Sequence, residues 1–305
     1  MSKPALFLCV SLAALTLATL QSQAQCPGNI HSLHATFGQR SQILVPVRIN
    51  GSGPWNFLVD TGNLITIVDP ALAAELALQP RTSIGVVAVT QTQRASIQIV
   101  DSISVEEHSI QKPLLITHDL SQLQASNPRI RGILGQNFLA HFDLLMDYQH
   151  KLLCLDETGQ LQQNLTGEHL PLVEPRNRET DFPFAQPLVI QVRLAGSSRQ
   201  SLLRLDSGSN MPVLFDADQD APSWIQKQPS LAGRGVGNSN LAFTAIPPQD
   251  INFGSHALAQ VTFIAPLKNA HSGSAPGEDG LLPTSLLQRI FISYNNRYII
   301  VSPKN

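Results

Sequence analysis

The chain has 305 residues, 43% of them hydrophobic and only 14% charged, with a formal net charge of −2 at pH 7. That balance offers no basic surface for nucleic acid or an anionic membrane, and the hydrophobic share is that of an ordinary globular protein. The 19 glycines and 21 prolines are spread along the whole length, which suits many short strands rather than a helical bundle.

Residues 1–24 read as a signal peptide. Lys3 supplies a positive start, and Ala5 to Leu20 is apolar apart from Ser11, Thr16 and Thr19. Ser22-Gln23-Ala24 then places small residues three and one before a cleavage site after Ala24. The apolar run is shorter than the roughly twenty residues of a membrane span, so no stable membrane insertion is expected after cleavage. The mature chain is expected to be exported, periplasmic or extracellular. Gln23-Ala24-Gln25 before Cys26 is a poor lipidation signal. Cys26 and Cys154 remain in the mature chain, either paired in an oxidising compartment or as separate thiols. Cys26, His31 and His34 lie in a lead-in segment, and the nine histidines lack ligand spacing, so no metal and no other cofactor is expected.

Val45 to Gly51 followed by Phe57-Leu58-Val59-Asp60-Thr61-Gly62-Asn63 predicts a hairpin whose second strand ends in an Asp-Thr-Gly turn. Asp69-Pro70 starts a short helix running to Ala77, with Asp69 as N-cap and proline in the first helical position. Ile84 to Ile99 predicts a second hairpin, and Leu120 to Ala125 another short helix. Gly132-Ile133-Leu134-Gly135-Gln136-Asn137-Phe138-Leu139 predicts a buried strand and a brief helix, leading to a hairpin from Asp143 to Leu155. Asp156 to Glu168 is polar, and Leu170-Pro171-Leu172-Val173 opens a second half.

That second half repeats the first. Val189 to Gly196 and Leu202-Leu203-Arg204-Leu205-Asp206-Ser207-Gly208-Ser209-Asn210 form the same hairpin and turn. Gly280-Leu281-Leu282-Pro283-Thr284-Ser285-Leu286-Leu287, Phe291 to Tyr294 and Arg297 to Val301 repeat the later segments. The interval from the Asp turn to the second motif is nearly the same in both halves. Gly233-Arg234-Gly235-Val236-Gly237 lacks the strand-turn-helix setting of a phosphate loop. The expected organisation is a signal peptide (1–24), an N-terminal lobe (25–158), a linker (159–167) and a C-terminal lobe (168–305).

An isolated Asp-Thr-Gly is weak, because Asp and Gly are ordinary turn residues. Here an apolar strand drives each Asp into a setting where a lone polar group is costly. Two such carboxylates meeting across a twofold-like axis cannot both ionise easily. One then acts as base on a water while the other, protonated, polarises a carbonyl. Thr61 and Ser207 can bond across to the opposite turn.

The paired turns Asp60-Thr61-Gly62 and Asp206-Ser207-Gly208-Ser209 resemble those of the aspartic proteases, specifically exported bacterial retropepsin-like proteins in a tandem like the bilobal pepsins. The resemblance spans Ala35 to Pro303. It implies a mainly β fold of two similar twisted, barrel-like lobes facing each other across a cleft. It also implies a catalytic pair of Asp60 and Asp206, a monomer, and a peptide or protein substrate. An apolar-apolar-Gly segment passing beneath each Asp turn is matched by Ile133-Leu134-Gly135, and by Leu281-Leu282 in the second half. Pro283 departs from the second glycine, Asn63 from the small residue after the first motif, and Arg204 from the apolar residue two before Asp206. These departures favour a rival reading, a catalytically silent peptide-binding or envelope structural protein with the same fold.

Overall fold

A computed structural model of the chain describes residues 25–38, 42–88, 91–176, 187–215, 230–234, 240–266 and 277–303; for 83–94, 230–234 and 240–242 the backbone alone is described. The expected signal peptide therefore lies outside the described residues, as does part of the glycine-rich segment 233–237.

In chain order the first half comprises β1 (Thr36–Phe37), β2 (Ile43–Ile49), β3 (Ser52–Val59), β4 (Thr66–Val68), helix α1 (Pro70–Glu75), β5 (Thr82–Ala88), β6 (Gln91–Ile99), β7 (Ser102–Val105), β8 (His108–Gln111), β9 (Leu114–Thr117), helix α2 (Ser121–Ser126) and β10 (Ile130–Leu134). Helix α3 (Gln136–Leu139), β11 (Asp143–Asp147), β12 (Leu152–Asp156), helix α4 (Gln160–Asn164) and β13 (Leu170–Pro171) follow. The second half comprises β14 (Val189–Leu194), β15 (Gln200–Asp206), β16 (Val213–Leu214), β17 (Ser230–Arg234), β18 (Asn240–Ala245), β19 (Gln249–Phe253), β20 (His256–Val261), β21 (Ile264–Pro266) and β22 (Gly280–Pro283). A 3₁₀ turn at Thr284–Leu286 leads to β23 (Leu287–Ser293) and β24 (Tyr298–Pro303).

The fold is mainly β, and the repeat read from the motifs extends to the whole topology. Strand order is β5-β6-β9-β4-β10-β3-β2-β7-β8 in the first sheet and β17-β18-β21-β16-β22-β15-β14-β19-β20 in the second. Taken in chain order, the two sequences of neighbours are identical. The hairpin expected at Ile84 to Ile99 is β5–β6, at one edge of its sheet, and β17–β18 is its counterpart. In each half one short strand is inserted between two others. β10 runs parallel to β3 and antiparallel to β4, and β22 runs parallel to β15 and antiparallel to β16. Such strands, covered on both faces, read as continuous apolar runs rather than alternations, and Ile133, Leu134, Leu281 and Leu282 are all buried.

A third, five-stranded sheet, β12-β11-β23-β24-β13, draws strands from both halves. Leu144 pairs with Ile292, Leu145 with Phe291 and Met146 with Ile290. One apolar core therefore runs through the molecule, joining Val59 and Leu134 to Leu205, Leu282, Ile290 and Ile292. This sheet fixes the two halves against each other and so sets where their turns meet.

Helix α1 is capped as its sequence predicts, with Asp69 Oδ1 accepting from Leu72 N at 2.8 Å. It stops at Glu75, short of Ala77, because Ala77 takes a left-handed φ of 50° and Leu78 N bonds back to Ala73 O at 3.0 Å. The polar stretch after β12 carries α4, whose Leu161 is buried and whose start is held by Asp156 Oδ2 accepting from Leu161 N at 2.7 Å. Among the described residues no helix is long and apolar enough to cross a membrane.

Cys26 and Cys154 form a disulfide across 128 residues, with Cα atoms 6.1 Å apart. Both are buried beside Leu145, Leu152, Leu161 and Phe291, so the lead-in is pinned to the shared sheet. Cross-linking so long a loop removes much of the entropy of the unfolded chain. Cys26→Ala/Cys154→Ala is therefore expected to lose about 2–4 kcal/mol of unfolding free energy. Urea denaturation checks this: dithiothreitol should lower the midpoint of the natural protein and leave the variant unaffected. An unchanged midpoint in the variant would show that the bond constrains nothing.

Candidate active site

Phe57, Leu58 and Val59 are fully buried in β3 and carry the chain to Asp60 at the strand's end; in β15 the buried Leu203 and Leu205, flanking a partly buried Arg204, lead to Asp206. Asp60 N donates to Leu134 O at 3.0 Å, which ties the first turn to β10. Each Asp then folds back onto its own turn. Gly62 N donates to Asp60 Oδ1 at 2.9 Å, and Gly208 N and Ser209 N each donate to Asp206 Oδ1 at 2.8 Å.

The turns grip each other through four hydrogen bonds. Thr61 N donates to Ser207 Oγ at 3.0 Å, and Ser207 N to Thr61 Oγ1 at 3.0 Å. Thr61 Oγ1 donates to Leu205 O at 3.1 Å, and Ser207 Oγ to Val59 O at 2.8 Å. Both hydroxyls are buried, so losing either leaves an N–H in the opposite turn without its partner, at a cost of about 1–3 kcal/mol. The glycines permit the approach. A Cβ at Gly62 would lie 2.6 Å from Asp206 Cγ, and one at Gly208 would lie 2.5 Å from Asp60 Cγ.

The structure thus brings the two carboxyl groups together, each against the glycine of the opposite turn and only partly exposed. Lost hydration raises the Asp60 pKa well above the usual carboxylate range, and the charge of Asp206 adds to the rise. Lost hydration also raises Asp206, but the Ser209 and Gly208 N–H groups and then the Arg204 guanidinium oppose it. Two carboxyls this close titrate as a pair, and lost hydration with like-charge repulsion makes that pair hold a proton to higher pH than isolated carboxyls would. Two phenols stand near the pair, Tyr294 buried and Tyr148 partly so. Burial pushes both well up, with Asp206 adding to Tyr148 and Asp60 to Tyr294.

Ile133, Leu134 and Gly135 run beneath the first turn, and Leu281, Leu282 and Pro283 beneath the second. Gly135 N donates to Thr66 Oγ1 at 3.1 Å, and Thr66 N and Oγ1 both donate to Asn137 Oδ1 at 2.8 Å. In the second half Pro283 replaces Gly135, and the register puts Pro212 in the place of Thr66. Donor and acceptor are lost together, so Pro283 leaves no orphaned group. Asn63 acts through its backbone: its carbonyl accepts from Gln136 N at 2.8 Å, and its N–H, like that of Ser209, favours the ionised form of its Asp.

Sequence reasoning missed three supporting groups. Gln136 Nε2 donates to Thr61 O at 2.6 Å. The corresponding residue in the second half, Thr284, shares a 2.6 Å hydrogen bond with Tyr148 Oη. Overlaying the two repeats on their glycines would have marked both as residues just past the strand. Glu278, fully buried, takes both arms of Arg204 at 2.7 Å, a pairing with no local signature. Among the described residues no group of three His, Cys, Asp or Glu is placed to hold a metal ion.

Residues 45–138 match the family model described as "Aspartyl protease". Among solved structures, a retropepsin-like aspartic protease from Rickettsia conorii is 17% identical, with a TM-score of 0.30, covering 40% of this chain and 86% of that one. No curated protein matches the chain.

A carboxyl whose folded-state pKa is raised binds more protons folded than unfolded between the two values. Its favourable contribution is present below the unfolded pKa and is lost as pH rises through the folded one. For Asp60, whose unfolded reference is 3.8, stability should decline upward from about pH 4. Asp60→Asn removes that decline, so the variant should be relatively more stable at pH 7 than at pH 3. Urea unfolding of both proteins across pH checks this; parallel pH dependences would remove the strained pair.

Proposed function

We propose that the chain is an exported aspartic-type endopeptidase that hydrolyses peptide bonds with a water activated between Asp60 and Asp206. The observation that carries this reading is the cross-bracing of two Asp turns by four hydrogen bonds, with each carboxyl set against the glycine of the opposite turn. The family match over residues 45–138 supports it for the half that contains Asp60.

In the reaction the ionised carboxylate takes a proton from water as the water oxygen attacks the peptide carbonyl carbon. The protonated carboxyl donates its proton to the carbonyl oxygen, giving a neutral tetrahedral diol. Collapse breaks the C–N bond: the first carboxyl gives its proton to the departing nitrogen, and a diol hydroxyl returns one to the second. The pair ends as it began. The turn N–H groups hold the oxygens in place throughout, so little reorganisation is needed. Both half-sites come from one chain, which supports action as a monomer. The leader sequence and the disulfide support an oxidising compartment, periplasmic or extracellular.

Asp60→Asn and Asp206→Asn should each reduce hydrolysis of unfolded casein to below about a hundredth of the natural rate at every pH from about 3 to 8. The double variant should lose little more, because residues acting as a unit fail non-additively. Circular dichroism should show all three folded. Retention of activity in either single variant would remove that residue from the reaction.

A further inference from the structure

The two halves are alike in topology but not in charge beside their Asp turns. By register, Leu58 in β3 corresponds to Arg204 in β15; counted two back from the matched Gly132 and Gly280, Ile130 corresponds to Glu278. In the first half Leu58 and Ile130 pack together with Leu44, all buried. In the second half the same two places hold an ion pair. Arg204 Nε donates to Glu278 Oε2 and Nη2 to Oε1, both at 2.7 Å, with the Glu278 side chain fully buried and Arg204 18% exposed. The third arm of the guanidinium crosses to the other half, where Nη1 donates to Gly62 O at 3.1 Å. Gly62 is the residue whose N–H holds Asp60.

A buried ion pair seldom stabilises a fold better than the apolar residues it replaces, and here the repeat supplies the apolar alternative in the same molecule. The pair therefore calls for a role other than stability. We propose that Arg204, fixed by Glu278, is a positioning residue that breaks the symmetry of the two carboxyls, so that Asp206 is the resting base and Asp60 the resting acid. Arg204 precedes Asp206 by two residues along β15, which puts both on one face, and its guanidinium contacts the Asp60 turn at its carbonyl rather than its carboxyl. Its charge therefore favours ionisation of Asp206, while its hydrogen bond holds the Asp60 turn in register.

Among the described residues the other ionisable groups around the pair are Tyr148, Tyr294, Glu278, Asp279 and Arg297. Both phenols stay neutral across the working range. Asp279 is occupied by Arg176 and Arg199, and Arg297 acts on Tyr294. Glu278 is the group that moderates Arg204, and its own pKa is raised by burial.

This inference rests on the proposed catalytic pair, but its test does not need turnover. In protein labelled with 13C at the Asp carboxyl carbons, and assigned with Asp60→Asn and Asp206→Asn, the proton that binds first as pH falls should move the Asp60 resonance. Glu278→Gln keeps one acceptor oxygen for Arg204 and removes the moderating charge, so both steps should shift to lower pH by about 1 unit. Arg204→Leu/Glu278→Ile copies the apolar pair of the first half; both steps should shift upward by a similar amount, and both resonances should move together. A merely structural pair would shift neither titration, and shifts of the same sign in the two variants, or first protonation at Asp206, would also overturn the assignment. If the titrations behave as stated while no peptide is cleaved, the inference stands and the peptidase reading falls. If cleavage occurs with unshifted titrations, the reverse holds.

Discussion

Two carboxyl groups that repel each other when ionised are held face to face, each against the glycine of the opposite turn, and much of the described structure serves to keep them there. The cost is loss of hydration and like-charge repulsion at a single point. The four bonds exchanged by Thr61 and Ser207 answer it locally. The absence of side chains at Gly62 and Gly208 is equally necessary, since any Cβ there would strike the opposite carboxyl. Behind the turns, β10 and β22 support each Asp-bearing strand from the side. The shared sheet of β11, β12, β13, β23 and β24 sets the spacing of the halves, and the continuous apolar core carries that spacing to the turns.

A repeat within one chain is free to diverge, and around the site three exchanges stand out. Thr66 with Gly135 becomes Pro212 with Pro283, Gln136 becomes Thr284, and Leu58 with Ile130 becomes Arg204 with Glu278. The first and third exchanges change both members of a pair, as expected where changing one alone would strand a buried donor, acceptor or charge. What is common to both halves is the grip that positions the carboxyls. What differs is the electrostatic surrounding, which would favour the proton on one carboxyl of the pair over the other.

How far the sequence could be read depended on the range of the interaction. The Asp turns, the strands that feed them and the buried segments beneath are local patterns, and their repetition doubled each signal; the Asp69 cap and α1 were legible for the same reason. The end of α1 was not, because the left-handed Ala77 carries no residue signature. Arg204 stood out as a charge in an apolar strand, but its partner Glu278 is far along the chain and its exposed or buried state depends on register. Pro283 looked like a defect for the same reason: only the sheet shows that Pro212 has lost the matching hydroxyl. The Cys26–Cys154 bond was left open because pairing is a matter of three-dimensional distance.

A peptide carrying a statine hydroxyl in place of the scissile carbonyl mimics the tetrahedral diol and offers the most direct test. In a crystal structure of the complex, that hydroxyl should lie between the two carboxyls, about 3 Å from both Asp60 and Asp206. A hydroxyl that contacts only one of them, or a peptide bound away from the turns, would contradict the account of a single catalytic pair.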